Sequence, residues 1–435
     1  MNKTARVILL TLVFSAAGCG GDPEQENTRD YTVLDATNYH QNVKDARAKI
    51  QTLITALQTN SFQNADERVA FISQQLADIP YLAEGAMGEG DWQPGSSVYQ
   101  SGASHVKQDP LYRLDGLDCQ TLVQMAMGLL YSTNLAEFDK TILKVSYGAA
   151  GNPHGEIVRY YNRNNFVDGD WNPINQRNGF LTDVTSLGYL APYSATTTVD
   201  ITRQNWFLFQ QKNLASTVRV LDGTDGLFMA NRFMQTYSWL NFPRFDLERV
   251  SIAYIPKEKL ALKQSTGSYQ PDEALLHSIP TPAVVEIVRD AKKWTIGGKN
   301  IKDVIGSELS ISHMGLLYRQ RFNYGEVIYQ KITCDYDKQR QKMCGVTPVV
   351  CEKGQCNELM FVHATDARPN DYYWYQQAGG SFTCSFQLPA NGAGYTKCNR
   401  IEREPLFDYL TEYQYGAYRN MDSPSIVGVH IEKLN

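Results

Sequence analysis

The chain has no excess of basic charge: 41 Lys and Arg stand against 46 Asp and Glu, a net charge of −5. That balance argues against the basic stripe of a nucleic-acid-binding protein, so no nucleic-acid partner is expected. It also lacks an apolar run of the ~20 residues needed to span a bilayer. The run nearest the N-terminus, Val7 to Ala17, holds eleven residues. No Cys-x-x-Cys pair occurs, so nothing points to a paired-cysteine zinc site, and no metal or cofactor is expected. Cysteine itself is sparse, eight in 435 residues, too few for a fold held by disulfides alone. What is present is the balance of a folded globular chain: 43% hydrophobic, 20% charged and 11% aromatic. That composition excludes a disordered or collagen-like protein. The length corresponds to about two to three ordinary domains.

The N-terminus carries Lys3 and Arg6 before the apolar run, the layout of a signal peptide. The run ends Ser15-Ala16-Ala17-Gly18-Cys19, which resembles a bacterial lipobox with Ala16 where Leu is commoner. The resemblance implies cleavage after residue 18 and a diacylglycerol on Cys19, hence membrane attachment through that residue. Gly20, not Asp, follows the cysteine, which implies the periplasmic face of an outer membrane. Loss of Lys3 and Arg6 makes the mature charge −5 − 2 = −7. Residues 19–40 read as a lipid-anchored, flexible polar tether.

Helical spacing appears over 41–58 and 65–79, and a largely apolar helix over 120–132. From about 140 onward the pattern breaks into short β-branched runs, including Ile252–Ile255, Ala283–Ile287, Ile311–Tyr318, Leu359–His363 and Ile426–Ile431. Helices first and strands later predict an α+β fold. No linker divides 41–435, which reads as one elaborated domain.

Six cysteines fall late: Cys334, Cys344, Cys351, Cys356, Cys384 and Cys398. Export to an oxidising compartment predicts disulfides among them, with the pairing open. Cys384–Cys398 across a Gly- and Asn-rich turn is one candidate bridge. Cys119 is left over. Asp118 and the turn at Gly116 precede the apolar helix, so Cys119 sits at its N-terminus. The positive end of the helix dipole favours the thiolate there, and the thiolate is the nucleophilic form. A buried inert thiol is the competing account. Asp118 is expected to cap the helix.

Of seven histidines, His40, His105, His154 and His277 lie in polar contexts, and His430 reads as an edge or core residue. His313 (Ser312-His313-Met314-Gly315) and His363 (Phe361-Val362-His363-Ala364) lie on alternating apolar runs, hence on strands. A nucleophile, a base and an orienting group form a general catalytic arrangement.

Asp118-Cys119, the His-x-Gly strand and the His-Ala strand, in that order, resemble the NlpC-type papain-like cysteine peptidases of bacterial cell walls. Pro80-Tyr81 resembles the Pro-Tyr that precedes the nucleophile there. Tyr112 to Thr121, Arg163 to Phe166 with Trp171, and Asp183-Val184-Thr185 resemble the N-acetylmuramoyl-L-alanine amidase-like branch. Asn165 and Gln124 depart from that branch, where His and Glu are usual. Cys-rich segments near 319–358 and 376–400 read as insertions peculiar to this chain, and a protein partner could dock there.

The resemblance implies a papain-like core with the nucleophile at the N-terminus of a buried helix on an antiparallel sheet. It implies attack by Cys119, proton transfer by His313, orientation by His363 and oxyanion binding by Tyr81. Arg163, Asn165 and Trp171 are candidate substrate contacts, and the dense cluster Tyr372 to Tyr375 either packs under a loop or lines a cleft. The implied substrate is peptidoglycan or its muropeptide fragments, cut at the muramoyl–L-alanine amide. Alternatives are an endopeptidase acting within the stem peptide, or an inactive peptidoglycan- or protein-binding lipoprotein. One free cysteine is expected in the mature protein.

Overall fold

The computed structural model describes residues 36–77, 79, 81, 112–147, 163–206, 208–209, 248–336, 342–365, 373–376, 382–385, 396–397, 401–412 and 419–435. The signal peptide, Cys19, most of the tether and Cys398 lie outside these residues. No helix among the described residues is long and apolar enough to cross a membrane.

The helical spacing is realised in α1 (Ala36–Thr59) and α2 (Ala65–Leu76). α1 buries Ile50, Leu53, Ile54 and Leu57, one stripe at three- and four-residue steps. Asn64 caps α2, its side chain accepting the Glu67 N–H. α3 (Cys119–Leu130) is buried at eleven of its twelve positions, which explains its nearly uniform apolarity. α4 (Leu135–Ser146) crosses it where Gly128 has no side chain; a Cβ there would lie 2.6 Å from the Phe138 ring. α4 adds a helix to those expected from sequence, with Phe138, Ile142 and Val145 buried along one face at helical spacing.

The strands form an eight-stranded sheet. They are β1 (Leu181–Asp183), β2 (Ala195–Ile201), β3 (Glu248–Pro256), β4 (Ala283–Arg289), β5 (Ile311–Asn323), β6 (Gln355–Ala364), β7 (Ile401–Pro405) and β8 (Ile426–Leu434). Their order is β7-β6-β5-β4-β8-β3-β2, with β1 added to β8, and every pairing is antiparallel. The arrangement is α+β, as the order of patterns predicted.

Strand alternation divides the apolar side chains between two cores. Val284, Met314, Leu316, Met360 and Val362 pack with α1–α4. Val285, Ile287, Leu317, Phe361, Val429 and Ile431 pack on the other face with α6 (Leu406–Thr411). A short α5 (Asn172–Arg177) precedes β1.

A second, five-stranded sheet contains Val327–Tyr336, Lys342–Val350, Tyr373–Gln376, Phe382–Ser385 and Thr396–Lys397. It accounts for much of the two Cys-rich segments. Cys351 and Cys356 form a disulfide that closes the turn into β6. In backbone register, Cys334 lies opposite Cys344, and Cys344 opposite Cys384.

Candidate active site

Asp118 caps α3 as its sequence position predicted. Its side chain accepts the Thr121 N–H at 2.7 Å, and Thr121 Oγ1 accepts the Asp118 N–H at 2.9 Å. This reciprocal box fixes Cys119 as the first helical residue, fully buried. Tyr81 pairs through its backbone with Leu117, so Tyr81 lies beside the Cys119 turn, while Pro80 lies outside the described residues. Gln124, one turn further on, is fully buried, and neither of its amide atoms has a hydrogen-bond partner among the described residues.

The Cys119 sulfur is in a disulfide, and no cysteine among the described residues is free. This corrects the expectation that Cys119 is the free thiol. A disulfide sulfur carries no thiol proton, so the nucleophilic form exists only after reduction.

His313 and His363 do come together. His313 Nε2 lies 2.9 Å from His363 Nδ1, and His363 Nε2 lies 3.3 Å from Glu404 Oε1 on the edge strand β7. The Phe361 ring stacks on His363 with centroids 4.7 Å apart, and Tyr409 of α6 packs against both imidazoles. Burial lowers the His363 pKa to about 4. It holds that of His313 well below the ordinary value, with His363 and Arg289 adding to the effect. Both rings are therefore neutral at neutral pH, the state in which an imidazole can accept a proton. Gly315 has no side chain for a clear reason: a Cβ there would meet the Val362 carbonyl at 2.3 Å and the Phe361 ring at 2.6 Å.

The two halves of the predicted constellation occupy different layers. Ser312 is an extra residue in β5, since Ile287 pairs with His313 and Val288 with Ile311. From this bulge onward alternation is fixed. His313, Gly315 and Leu317 face α6; Met314 and Leu316 face α3 and share a core with Cys119. The structure thus joins His313 to His363 and Tyr81 to the Cys119 turn, and places the sulfur and the imidazole pair on opposite faces of the sheet.

The proposed substrate contacts are also mostly interior. Arg163 is buried, and its backbone pairs with Tyr147. Asn165 is half-buried and its N–H donates to the Arg163 carbonyl. Trp171 closes a π-helical turn, Val167–Trp171, and is fully buried. This corrects its expected place in a substrate cleft: the indole is core.

A polar cluster on the α3-facing side of the sheet was not singled out from sequence. Glu286 on β4 pairs across the sheet with His430 on β8, and both are buried with Glu432. His430 Nε2 lies 3.0 Å from Glu432 Oε1, and its Nδ1 lies 3.0 Å from Thr185 Oγ1. Asn172 Nδ2 donates to Glu286 Oε2 at 2.9 Å, and Gln176 Nε2 to Glu432 Oε1 at 2.6 Å, tying α5 to the sheet. Burial pushes the Glu286 pKa up to about 8. Burial opposes the charge on His430, but Glu432, Glu286 and Asp183 carry its pKa up to about 9. The signal was present: Glu286 is the one charged residue inside Ala283–Val288, an otherwise apolar run. Among the described residues, no group of three or more His, Cys, Asp or Glu is placed to hold a metal ion.

The sequence defines an amidase-like class. Residues 98–340, more than half of the chain, match the AmiA-like family, described as N-acetylmuramoyl-L-alanine amidase-like. The chain belongs to that family. No curated protein matches it. Among solved structures it is similar to protein LPG0564 from Legionella pneumophila str. Philadelphia 1, assigned to the family DUF1460. The TM-score is 0.59 at 22% identity, covering 91% of this chain and 97% of that one. At that identity the likeness concerns the fold. His313 lies inside the family match; His363 and Glu404 lie beyond it.

Proposed function

We propose that the protein is an exported cell-wall amidase that hydrolyses the amide between N-acetylmuramic acid and L-alanine in peptidoglycan or its fragments. The observation that carries this reading is the family match over residues 98–340. In this reading the core is NlpC-type and papain-like, and Cys19 anchors the protein to the periplasmic face of the outer membrane.

The chemistry assigned is acyl transfer. Reduced Cys119 attacks the amide carbonyl; His313 takes the thiol proton and later delivers it to the leaving amine. Backbone N–H groups at Cys119, with the Tyr81 hydroxyl, stabilise the oxyanion; one such donor is worth about 2.7–4 kcal/mol. Water then hydrolyses the thioester. The reading requires that reduction free the sulfur and that a rearrangement bring it together with the imidazole pair, which in the oxidised protein faces the other side of the sheet.

The oxidised, buried sulfur favours a second reading, an inactive peptidoglycan- or protein-binding lipoprotein. Mass spectrometry of muropeptides digested with reductant present separates these readings. Intact stem peptides beginning with L-alanine support the amidase. A short peptide stub left on the sugar indicates a stem-peptide endopeptidase, and unchanged muropeptides indicate the binding protein.

A further inference from the structure

Glu404 contacts His363 of the histidine pair, yet the roles above leave it unassigned. We propose that Glu404 is a positioning residue that fixes the tautomers of both His363 and His313. This deepens the amidase reading and rests on it for the catalytic consequence, but the tautomers can be measured independently.

The protons on the two rings can be counted. Each ring is buried and neutral, so each carries one N–H. One proton must lie in the 2.9 Å contact between His313 Nε2 and His363 Nδ1. If His363 Nδ1 supplies it, His363 Nε2 is bare and points a lone pair at a carboxylate oxygen 3.3 Å away. That contact would then be repulsive. If His313 Nε2 supplies it, the His363 proton is on Nε2 and donates to Glu404. Only the second arrangement satisfies both contacts with an ionised carboxylate. It leaves His313 Nδ1 bare, the one ring nitrogen of the pair able to take a proton.

The strand register makes this assignment specific. β7 places Glu402 directly across from His363 and Glu404 two residues further along, on the same face. Glu402 adds attraction for a proton on His363 through space, and Glu404 supplies the hydrogen bond. Arg289 of β4 and Tyr409 of α6 complete the surroundings of the rings, and Asp408 and Tyr329 face Glu404. A proton gained at His313 Nδ1 during turnover leaves an imidazolium with Nε2–H still donated to His363, so no other proton need move.

The test is the two-bond ¹H–¹⁵N correlation spectrum of the imidazoles in the full-length, ¹⁵N-labelled protein at neutral pH. Both Nε2 atoms should report as protonated and both Nδ1 atoms as bare. Glu404→Leu should remove that preference on both rings, and Glu402→Gln should retain it. A bare His363 Nε2 in the wild type would overturn the proposal without any variant. So would an unchanged spectrum in Glu404→Leu. If the wild type cleaves muropeptides, Glu404→Leu should lower kcat by about 10²-fold, the low end of what a positioned base supplies, with KM unchanged. If the wild type does not cleave them, the amidase reading fails and the spectrum alone decides the role of Glu404.

Discussion

Replacing Glu286 with Gln should make the protein less sensitive to alkaline pH, by an amount set by the buried cluster around it. Glu286 is fully buried on a central strand, with His430 opposite and Asn172 donating to its Oε2. Among the described residues, its Oε1 and the Asn172 Oδ1 are both buried without a hydrogen-bond partner. Burial moves the carboxyl from 4.5 to about 8 in the folded protein. Between those values the folded state holds a proton that the unfolded state has lost. Stability is therefore full below the unfolded pKa and falls as pH rises toward the folded one. Each unit corresponds to about 1.4 kcal/mol, so the wild type should lose about 3 kcal/mol from this group between pH 5 and pH 8. His430, also raised, loses stabilisation in the same direction between 6.5 and about 9. Gln has no proton to lose and keeps an amide able to pair with Asn172. Urea unfolding at pH 5, 6, 7 and 8 should show the gap between variant and wild type widening in favour of the variant by that amount. Parallel curves would refute the assignment of a neutral Glu286.

Other perturbations follow from single contacts. Asp118→Ala removes the side-chain half of the α3 capping box, the acceptor of the Thr121 N–H, and should cost about 1 kcal/mol in chemical denaturation. Arg203→Ala leaves the fully buried Asp170 without its 2.7 Å ion pair; a loss of about 3–5 kcal/mol is expected in the same assay. Gly315→Ala drives a methyl into the Val362 carbonyl and Phe361 ring, and should lower stability by about 1–3 kcal/mol while broadening the His363 ring signals.

Much of the frame was legible in sequence because its signals are local. The apolar stripe of α1, the cap at Asp118 and the alternating runs containing His313 and His363 each report on neighbours a few residues away. The pairing of the two histidines was also legible, through a resemblance in motif order. What escaped depends on register. A single bulge at Ser312 determines which face His313 occupies, and no local pattern distinguishes one face from the other. Trp171 is a candidate only through resemblance to the amidase-like branch, and its burial follows from the π-helical turn Val167–Trp171, which no local apolar pattern announces. Glu286, His430 and Glu432 come from strands more than 140 residues apart in the chain, so their mutual compensation appears only once β4 and β8 pair.

The central claim is that this AmiA-like family member cleaves the muramoyl–L-alanine amide through Cys119. Its most direct test is a muropeptide digest, analysed by mass spectrometry, with wild type and Cys119→Ala compared in the presence and absence of reductant. The account predicts free stem peptides beginning with L-alanine from the reduced wild type, and none from Cys119→Ala under either condition. Equal release of those peptides by Cys119→Ala would contradict it.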